Sequence, residues 1–168
     1  MYQIKAATIN DIPLIQELTD KIWRPTYQLI LTAEQIEYML EMMYSTSSLE
    51  KQITTLQHQF IILLDEDKPI GFASWSTTDA PGIFKLQKIY LDLDYQGKGV
   101  GKYLLQQVAE QVKARGARTL EVDVNRFNNA KLFSEKQGFS VYKEKNTGIG
   151  HGYLMEDFVM CKALRKRP

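Results

Sequence analysis

From Phe84 the chain reads FKLQKIYLDL, a strand pattern, and from Val100 its apolar residues fall at 100, 104, 105, 108 and 112, one face of a helix. The seam between them, DYQGKGVGKYLL at 94–105, carries glycines at 97, 99 and 101. This junction restricts the fold more than any other stretch, because it demands a strand that hands over to a helix through a backbone free to adopt left-handed angles. The first amides of such a helix point outward with the positive end of its dipole, and the bare glycines let an anion approach them. Phosphate is the natural guest, and Lys98 and Lys102 add charge on either side. A plain tight turn would use the same glycines, so the local pattern leaves both readings open.

The flanking patterns extend this unit to the whole chain. Residues 2 to 8 alternate as a strand, Asn10 and Asp11 offer caps, and Leu14, Ile15, Leu18 and Ile22 recur at helical spacing up to Trp23, Arg24 and Pro25, where the helix is expected to end. Thr32 followed by Gln35 fits a capping box ahead of Ile36, Met39, Leu40 and Met43, and a short helix over about 48–57 follows. QFIILL and PIGFASWS, joined by a turn at Asp65 to Lys68, read as a hairpin. Beyond the glycine loop, Gly116 terminates the helix, ARTLEVDVN is a strand, NNAKLFSEKQ is a helix stopped at Gly138, and FSVYKEK with GYLMEDFVMCKAL forms a closing antiparallel pair. The order implies an α/β (α+β) fold, a mixed sheet flanked by helices, in one domain over 1–164 with a frayed basic tail at 165–168.

The lysines and arginines number 21 against 20 acids, so no global field recruits nucleic acid or an anionic membrane. Cys161 has no partner for an internal disulfide, and with His58 and His151 it makes no metal-ligand spacing. The amino terminus lacks a basic-then-apolar leader, and the longest aliphatic run, 61–64, is far too short to span a bilayer. A cytoplasmic protein without metal is expected, with partner choice left to a local site.

Two nucleotide loops compete for the glycines. A P-loop needs G-x-x-x-x-G-K-[ST], and neither the spacing nor the hydroxyl is present. A dinucleotide fold gains from the acids Glu121 and Asp123 about 20 residues on, but its GxGxxG spacing is missed and 92–96 separates the loop from its strand. Gln96-Gly97-Lys98-Gly99-Val100-Gly101 instead resembles the Q/R-x-x-G-x-G/A pyrophosphate loop of the GNAT superfamily of N-acyltransferases. NNAKLFSEKQGF is similar to that family's A-x-x-x-Y-x-x-x-G-F segment, and the likeness runs through nearly the whole chain. More narrowly, WRPTY and IGHGYLMEDFVMCKAL resemble the bacterial spermine/spermidine acetyltransferase type.

The resemblance implies a central, mostly antiparallel twisted sheet of about seven strands, and acetyl-CoA as cosubstrate. The amides of Gln96, Gly97, Lys98, Gly99, Val100, Gly101 and Lys102 would take its pyrophosphate, while the main chain of Ile89, Tyr90 and Leu91 lies along the pantetheine. Asn125 or Asn128 would take the family's asparagine contact, whose usual position falls on Phe127, and Phe133 and Lys136 would face the cofactor. Trp23, Tyr27 and Tyr38 would line the acceptor site, where aromatic walls suit a cationic amine. Two departures stand out. The family's strand glutamate is Gln87, which cannot be a base, so a water wire or a carboxylate such as Glu156 or Asp157, both expected at the surface, must serve. The family's acid tyrosine is Ser134, leaving Tyr153, Tyr142 or a water on Ser134 to protonate the thiolate.

The reaction implied is direct acetyl transfer in a ternary complex to a primary amine, a small amine or polyamine first and a peptide amine second, by a chain for which a homodimer is admissible. A non-catalytic CoA-binding regulatory module is the rival, and a dinucleotide-binding oxidoreductase comes behind it.

Overall fold

A computed structural model describes residues 1–164, and the tail expected at 165–168 lies outside the described residues. The chain order is β1 (Tyr2–Ala6), α1 (Ile12–Tyr27), α2 (Ala33–Tyr44), α3 (Thr46–Thr54), β2 (Gln59–Asp65), β3 (Lys68–Thr77), β4 (Ile83–Leu91), α4 (Val100–Ala114), β5 (Thr119–Asn125), α5 (Ala130–Lys136), β6 (Ser140–Gly150) and β7 (Tyr153–Ala163). Short 3-10 turns at Ile9–Asp11 and Leu93–Tyr95, neither of them read from the sequence, lead into α1 and the glycine loop.

Both ends of α1 add detail to the expectation. Asp11 is the N-cap residue of α1, but its side chain makes no cap hydrogen bond there; it closes a capping box on the preceding 3-10 turn, where the Thr8 hydroxyl accepts from the Asn10 amide at 3.2 Å and Asp11 Oδ2 accepts from the Thr8 amide at 2.9 Å. Asp11 is thus the reciprocal partner of the cap. Helix α1 also runs past Pro25 to Tyr27. Proline in the last turn forfeits one amide, and the neighbouring Thr26 hydroxyl donates to the Ile22 carbonyl at 2.6 Å.

The strands form one seven-stranded sheet in the order β1-β2-β3-β4-β5-β7-β6. β4 and β5 run parallel, whereas β1–β2, β2–β3, β5–β7 and β6–β7 are antiparallel. The β4–β5 ladder covers only Ile83–Leu86 against Thr119–Val122, although β4 runs on to Leu91 and β5 to Asn125.

By its internal contacts the chain divides into two compact units. The first holds Met1–Ser76 and Gln87–Val108. Its core includes Ile15, Ile22, Leu49, Ile61, Ile62, Leu63 and Phe72, each buried almost completely. Burying each such side chain is worth about 1.5–3 kcal/mol, which is why α1 needs no strong intrinsic propensity to persist. Gly71 of β3 is required here, because a Cβ at that position would lie 2.6 Å from the Tyr90 carbonyl oxygen. The second unit holds Thr77–Leu86 and the chain from Ala109 onward. There β5 alternates cleanly, with Leu120, Val122 and Val124 buried and Glu121, Asp123 and Asn125 half-open.

Candidate active site

In the first unit the site is built from the end of β4 and the loop that leads from it into α4. Gln87, Lys88, Ile89 and Tyr90 are all only half-buried, on both faces of the strand, where a strand covered on one face would alternate. Leu91 and Asp92 then turn inward, 8% and 3% exposed. Asp92 fixes the exit: its carboxylate accepts the Asp94 amide at 3.0 Å and pairs with Lys21 of α1 at 2.7 Å. Burial pushes this carboxyl up, but the hydrogen bonds from Lys21 and the Asp94 amide and the charges of Lys21 and Lys68 outweigh it, so it sits below the usual carboxylate range. Tyr95 adds a second anchor by donating to Asp65 Oδ2 at 2.8 Å, and Gln96 Nε2 donates to the Leu91 carbonyl at 3.3 Å.

Beyond these anchors, Gln96 to Gly99 are exposed. Gly97 and Gly99 stand at φ +77° and +79°, and a Cβ at either would meet no heavy atom within 4 Å. The first helical bond runs from the Tyr103 amide to the Gly99 carbonyl at 3.1 Å. Helix geometry therefore leaves the amides of Val100, Gly101 and Lys102 without an acceptor in the helix. Left-handed glycines, open space and uncommitted amides are what a diphosphate needs, and the loop fits one. Gly101 sits inside the first turn of α4, so its value is the absence of a side chain rather than a special φ.

Behind β4 lies a ring cluster. Trp23 and Tyr27 pack with tilted rings at 4.5 Å between centroids, with Tyr44 at 5.9 Å and Tyr90 at 6.0 Å from Trp23. The Tyr27 and Tyr90 hydroxyls meet at 3.3 Å, and Trp23 Nε1 is buried without completing a hydrogen bond. Burial pushes the Tyr44 and Tyr90 hydroxyls well above their ordinary values, so both stay protonated at neutral pH. Lys88 Nζ donates to Gln52 Oε1 at 2.8 Å and lies over the Tyr44 and Phe60 rings. Of the residues expected to line an acceptor site, Trp23 and Tyr27 are therefore interior packing at 2% and 8% exposure, and Tyr38 of α2 is half-buried. Beside them a pocket of about 210 Å³ is lined by Asp20, Glu37, Glu41, Arg24 and Tyr44 among others. Arg24 is committed to Asp20 at 2.9 Å and to Glu37, which leaves Glu41 without an ion pair among the described residues. Gln87 donates to Ser76 Oγ at 2.9 Å.

In the second unit the half-open face of the sheet carries charge. Asp123 Oδ2 accepts from Lys85 of β4 at 2.9 Å and from Lys145 of β6 at 3.1 Å. Lys145 stands opposite Asp157 in the β6–β7 register, so its side chain crosses β7 to reach Asp123. Burial raises the Asp123 pKa less than these two lysines lower it, and the carboxyl stays ionised. Asp157 is 5% exposed, which corrects the expectation that it lies at the surface; the same register places it on an inner strand between Asn125 and Lys145. Burial, then the Asp123 charge, push it up to about 6 against the pull of Lys145, Lys85 and Arg126. Glu156 is 41% exposed and lies 3.7 Å from Arg126.

The other expected residues are scattered through this unit. Asn125 Oδ1 accepts from the Phe127 amide at 2.8 Å and Asn128 Oδ1 from the Ala130 amide at 3.1 Å, so both act as local caps with their NH₂ groups left over. Ser134 is buried within α5, Phe133 is half-buried and Lys136 is exposed. Tyr153 opens β7 opposite Gly150 at the tip of the hairpin. Tyr142 occupies the bulge between Val141 and Lys143 and is 71% exposed. Sequence reasoning missed Lys21, Asp92, Tyr95, Lys85 and Lys145, and weighed Asp123 only as the acid of a dinucleotide fold. Only the strand register and the helix docking bring them together, and no local spacing announces either.

Among the described residues no three His, Cys, Asp or Glu side chains gather to hold a metal, and no helix is long and apolar enough to cross a membrane. A family model described as an acetyltransferase (GNAT) domain matches residues 29–156. Spermidine N(1)-acetyltransferase of Thermoplasma acidophilum is 28% identical over 144 residues, covering 83% of this chain and 88% of that protein. The ribosomal protein bS18-alanine N-acetyltransferase of Haemophilus influenzae is 35% identical over 79 residues, 46% of this chain and 52% of its own. Among solved structures, PaiA N-acetyltransferase from Thermoplasma acidophilum, in complex with coenzyme A, superposes with a TM-score of 0.80 at 26% identity over 97% of this chain and 99% of that one. With the loop geometry, the sheet order and the matched family model in agreement, the chain belongs to the GNAT family of N-acetyltransferases.

Proposed function

We propose that this N-acetyltransferase, acting as one domain over 1–164, draws its acetyl group from acetyl-CoA and passes it to a primary amine in a ternary complex. The observation that carries the reading is the pair of left-handed glycines, Gly97 and Gly99, in open space ahead of the unpaired amides that begin α4. Acetyl-CoA, when bound, would supply the thioester. The chain's own part is to grip the diphosphate with the amides of Gln96–Lys102 and to align the pantetheine beside the main chain of Ile89–Leu91. The family likeness adds Asn125, Asn128, Phe133 and Lys136 as further cofactor contacts, and Tyr153, ahead of Ser134 and Tyr142, as the group that protonates the departing sulfur. Such positioning alone accounts for a large share of the barrier lowering available to a two-substrate reaction.

A small cationic amine or polyamine is the preferred acceptor, and a peptide amino terminus the second. Three carboxylates to one guanidinium in the α1–α2 pocket favour an acceptor with several positive charges. The 28% identity to a spermidine acetyltransferase points the same way, while the shorter match to a ribosomal-protein acetyltransferase keeps the peptide in play. Thiol release from acetyl-CoA, measured over spermidine, spermine, simple alkylamines and alanine-initiated peptides, tests both steps. Amine-dependent release supports transfer; CoA binding with no release for any amine would favour a regulatory module; thermal stabilisation by NAD in place of CoA would sink the reading.

A further inference from the structure

Segment 87–91 of β4 begins where the ladder to β5 ends, at Leu86 opposite Val122. It carries three polar side chains, Gln87, Lys88 and Tyr90. Two of them are committed to the interior. Lys88 donates to Gln52 Oε1, and the Tyr90 hydroxyl meets that of Tyr27. Gln87 is committed by one end only: its Nε2 donates to Ser76 Oγ at 2.9 Å, whereas its Oε1 accepts from no described residue and is not enclosed. Ser76 lies on β3 at 7% exposure, so the bond to it restrains the amide. A half-buried carboxamide pinned by its nitrogen leaves a fixed oxygen for an incoming donor, and that oxygen can only accept.

Gln87, Ser76, the main chain of Ile89–Leu91 and the glycine loop all belong to the first unit. A pantetheine that leaves the loop and follows β4 back through Leu91 to Ile89 ends with its thioester toward Gln87, which stands two residues, about 7 Å of strand, before Ile89. We propose that Gln87 Oε1 accepts a hydrogen bond from the attacking nitrogen and thereby makes primary amines the preferred acceptors. The inference rests on the acetyl-CoA-dependent transfer to an amine proposed for the chain. A neutral primary amine has two N–H bonds. Gln87 holds one of them, which turns the nitrogen lone pair toward the thioester carbon. As the N–C bond forms, the C–S bond breaks and its electron pair leaves with sulfur. The other nitrogen proton ends on that sulfur, giving a thiol and an amide, and the N–H held by Gln87 survives as the N–H of the product. A secondary amine has a single N–H and must lose it. Gln87 would then hold the very proton that has to leave, and would face a product with nothing to donate. A polar group deprived of its partner in this way is costly, and the cost is what discriminates. Polyamines carry both kinds of nitrogen, so the contact directs the acetyl group to their ends.

The test compares kcat/KM for the best primary alkylamine of the panel with that for its N-methyl derivative, in the wild type, Gln87→Met, Gln87→Glu and Ser76→Ala. Comparing ratios between variants cancels the bulk of the added methyl group. The wild type should favour the primary amine by about 100-fold. Gln87→Met keeps the length of the side chain without its oxygen; it should lose about 10- to 100-fold on the primary amine and less than about threefold on the N-methyl amine, with the Kd for coenzyme A unchanged. Gln87→Glu retains an acceptor and should retain the preference. Ser76→Ala unpins the amide and should narrow the ratio at least about threefold, again without loss of coenzyme A binding. An equal loss on both amines in Gln87→Met, or a wild type that acetylates both alike, overturns the inference. Should Gln87→Met prove unfolded by thermal melt, Ser76→Ala decides, and an unchanged ratio there overturns it. Absence of thiol release with every amine is a separate result, which removes the transfer reading itself.

Discussion

The glycine loop after β4 and the charged face of β5 and β7 work by opposite means. The loop presents backbone: Gln96 to Gly99 are exposed, and what matters is φ near +77° at two glycines and three amides left over by a helix start. The β5–β7 face presents side chains, Lys85, Asp123, Lys145 and Asp157, drawn from four strands and held by register. Their electrostatics are opposed as well. Asp92 at the loop is driven below the normal carboxylate range by Lys21, so its charge supports the fold, whereas Asp157 is driven up to about 6, so its charge opposes the fold.

The harshest way to break the contrast is Gly99→Val. No neighbour blocks the new side chain, so the damage comes from forcing a β-branched residue to φ +79°, about 1–3 kcal/mol, and from methyl groups standing where the anion would lie. Coenzyme A affinity measured by calorimetry should fall at least about 100-fold while the circular dichroism spectrum stays folded. Retained affinity would reject the backbone account of the loop.

Asp157→Asn breaks the contrast from the other side. A carboxyl whose folded pKa exceeds its unfolded value of 3.8 contributes stability below the unfolded value, and loses it as pH rises through about 6. The variant should therefore be more stable than the wild type by about 2–3 kcal/mol at pH 8, and close to it at pH 4. Urea unfolding at the two pH values reads this directly. An equal difference at both would mean that Asp157 is not held protonated by the fold.

These two regions also differ in how far the sequence exposes them. Alternation and helical spacing place every strand and the helices, because each is a local period set by which face is buried: Val100, Leu104, Leu105, Val108 and Val112 of α4 are all 5% exposed or less. The loop is legible for the same reason, its requirement being local glycine spacing. Pro25 misleads, since the rule that proline stops a helix applies less to its last turn. Asp157 misleads more deeply. Its neighbours in MEDFVM suggest a surface acid, and only the pairing of β7 with both β5 and β6 puts it inside. Likewise nothing near Asp92 announces Lys21, 71 residues earlier, because helix docking creates that pair.

Asp92→Asn sharpens the loop's half of the comparison with a smaller effect. It removes a 2.7 Å pair in which the acid is buried and the lysine mostly exposed, so the expected loss is about 1–2 kcal/mol at pH 7. Because the folded pKa is depressed, this contribution is present above the unfolded value of 3.8 and disappears as pH falls through the folded one. Wild type and variant should therefore converge in stability only well below pH 4. Coenzyme A affinity should drop modestly with the anchor of the turn, and a variant as stable as the wild type at pH 7 would mean that Tyr95 and Asp65 hold the turn by themselves.

Lys98→Ala is the mildest and bears most directly on what the loop is made of. Lys98 is exposed and lies 6.0 Å from the Tyr95 ring centroid, too open a setting for much stabilisation. Were side-chain charge the main attraction for the diphosphate, its removal would cost tenfold or more in affinity and flatten the salt dependence. If the amides and the dipole of α4 carry the anion, affinity should fall less than about fivefold at 0.15 M salt, where the Debye length of about 8 Å already screens an exposed lysine. Titrations of both proteins with coenzyme A at 0.05 and 0.5 M salt separate the two cases. A tenfold loss that vanishes at high salt would move the loop into the class of side-chain sites to which Asp123 and Asp157 belong.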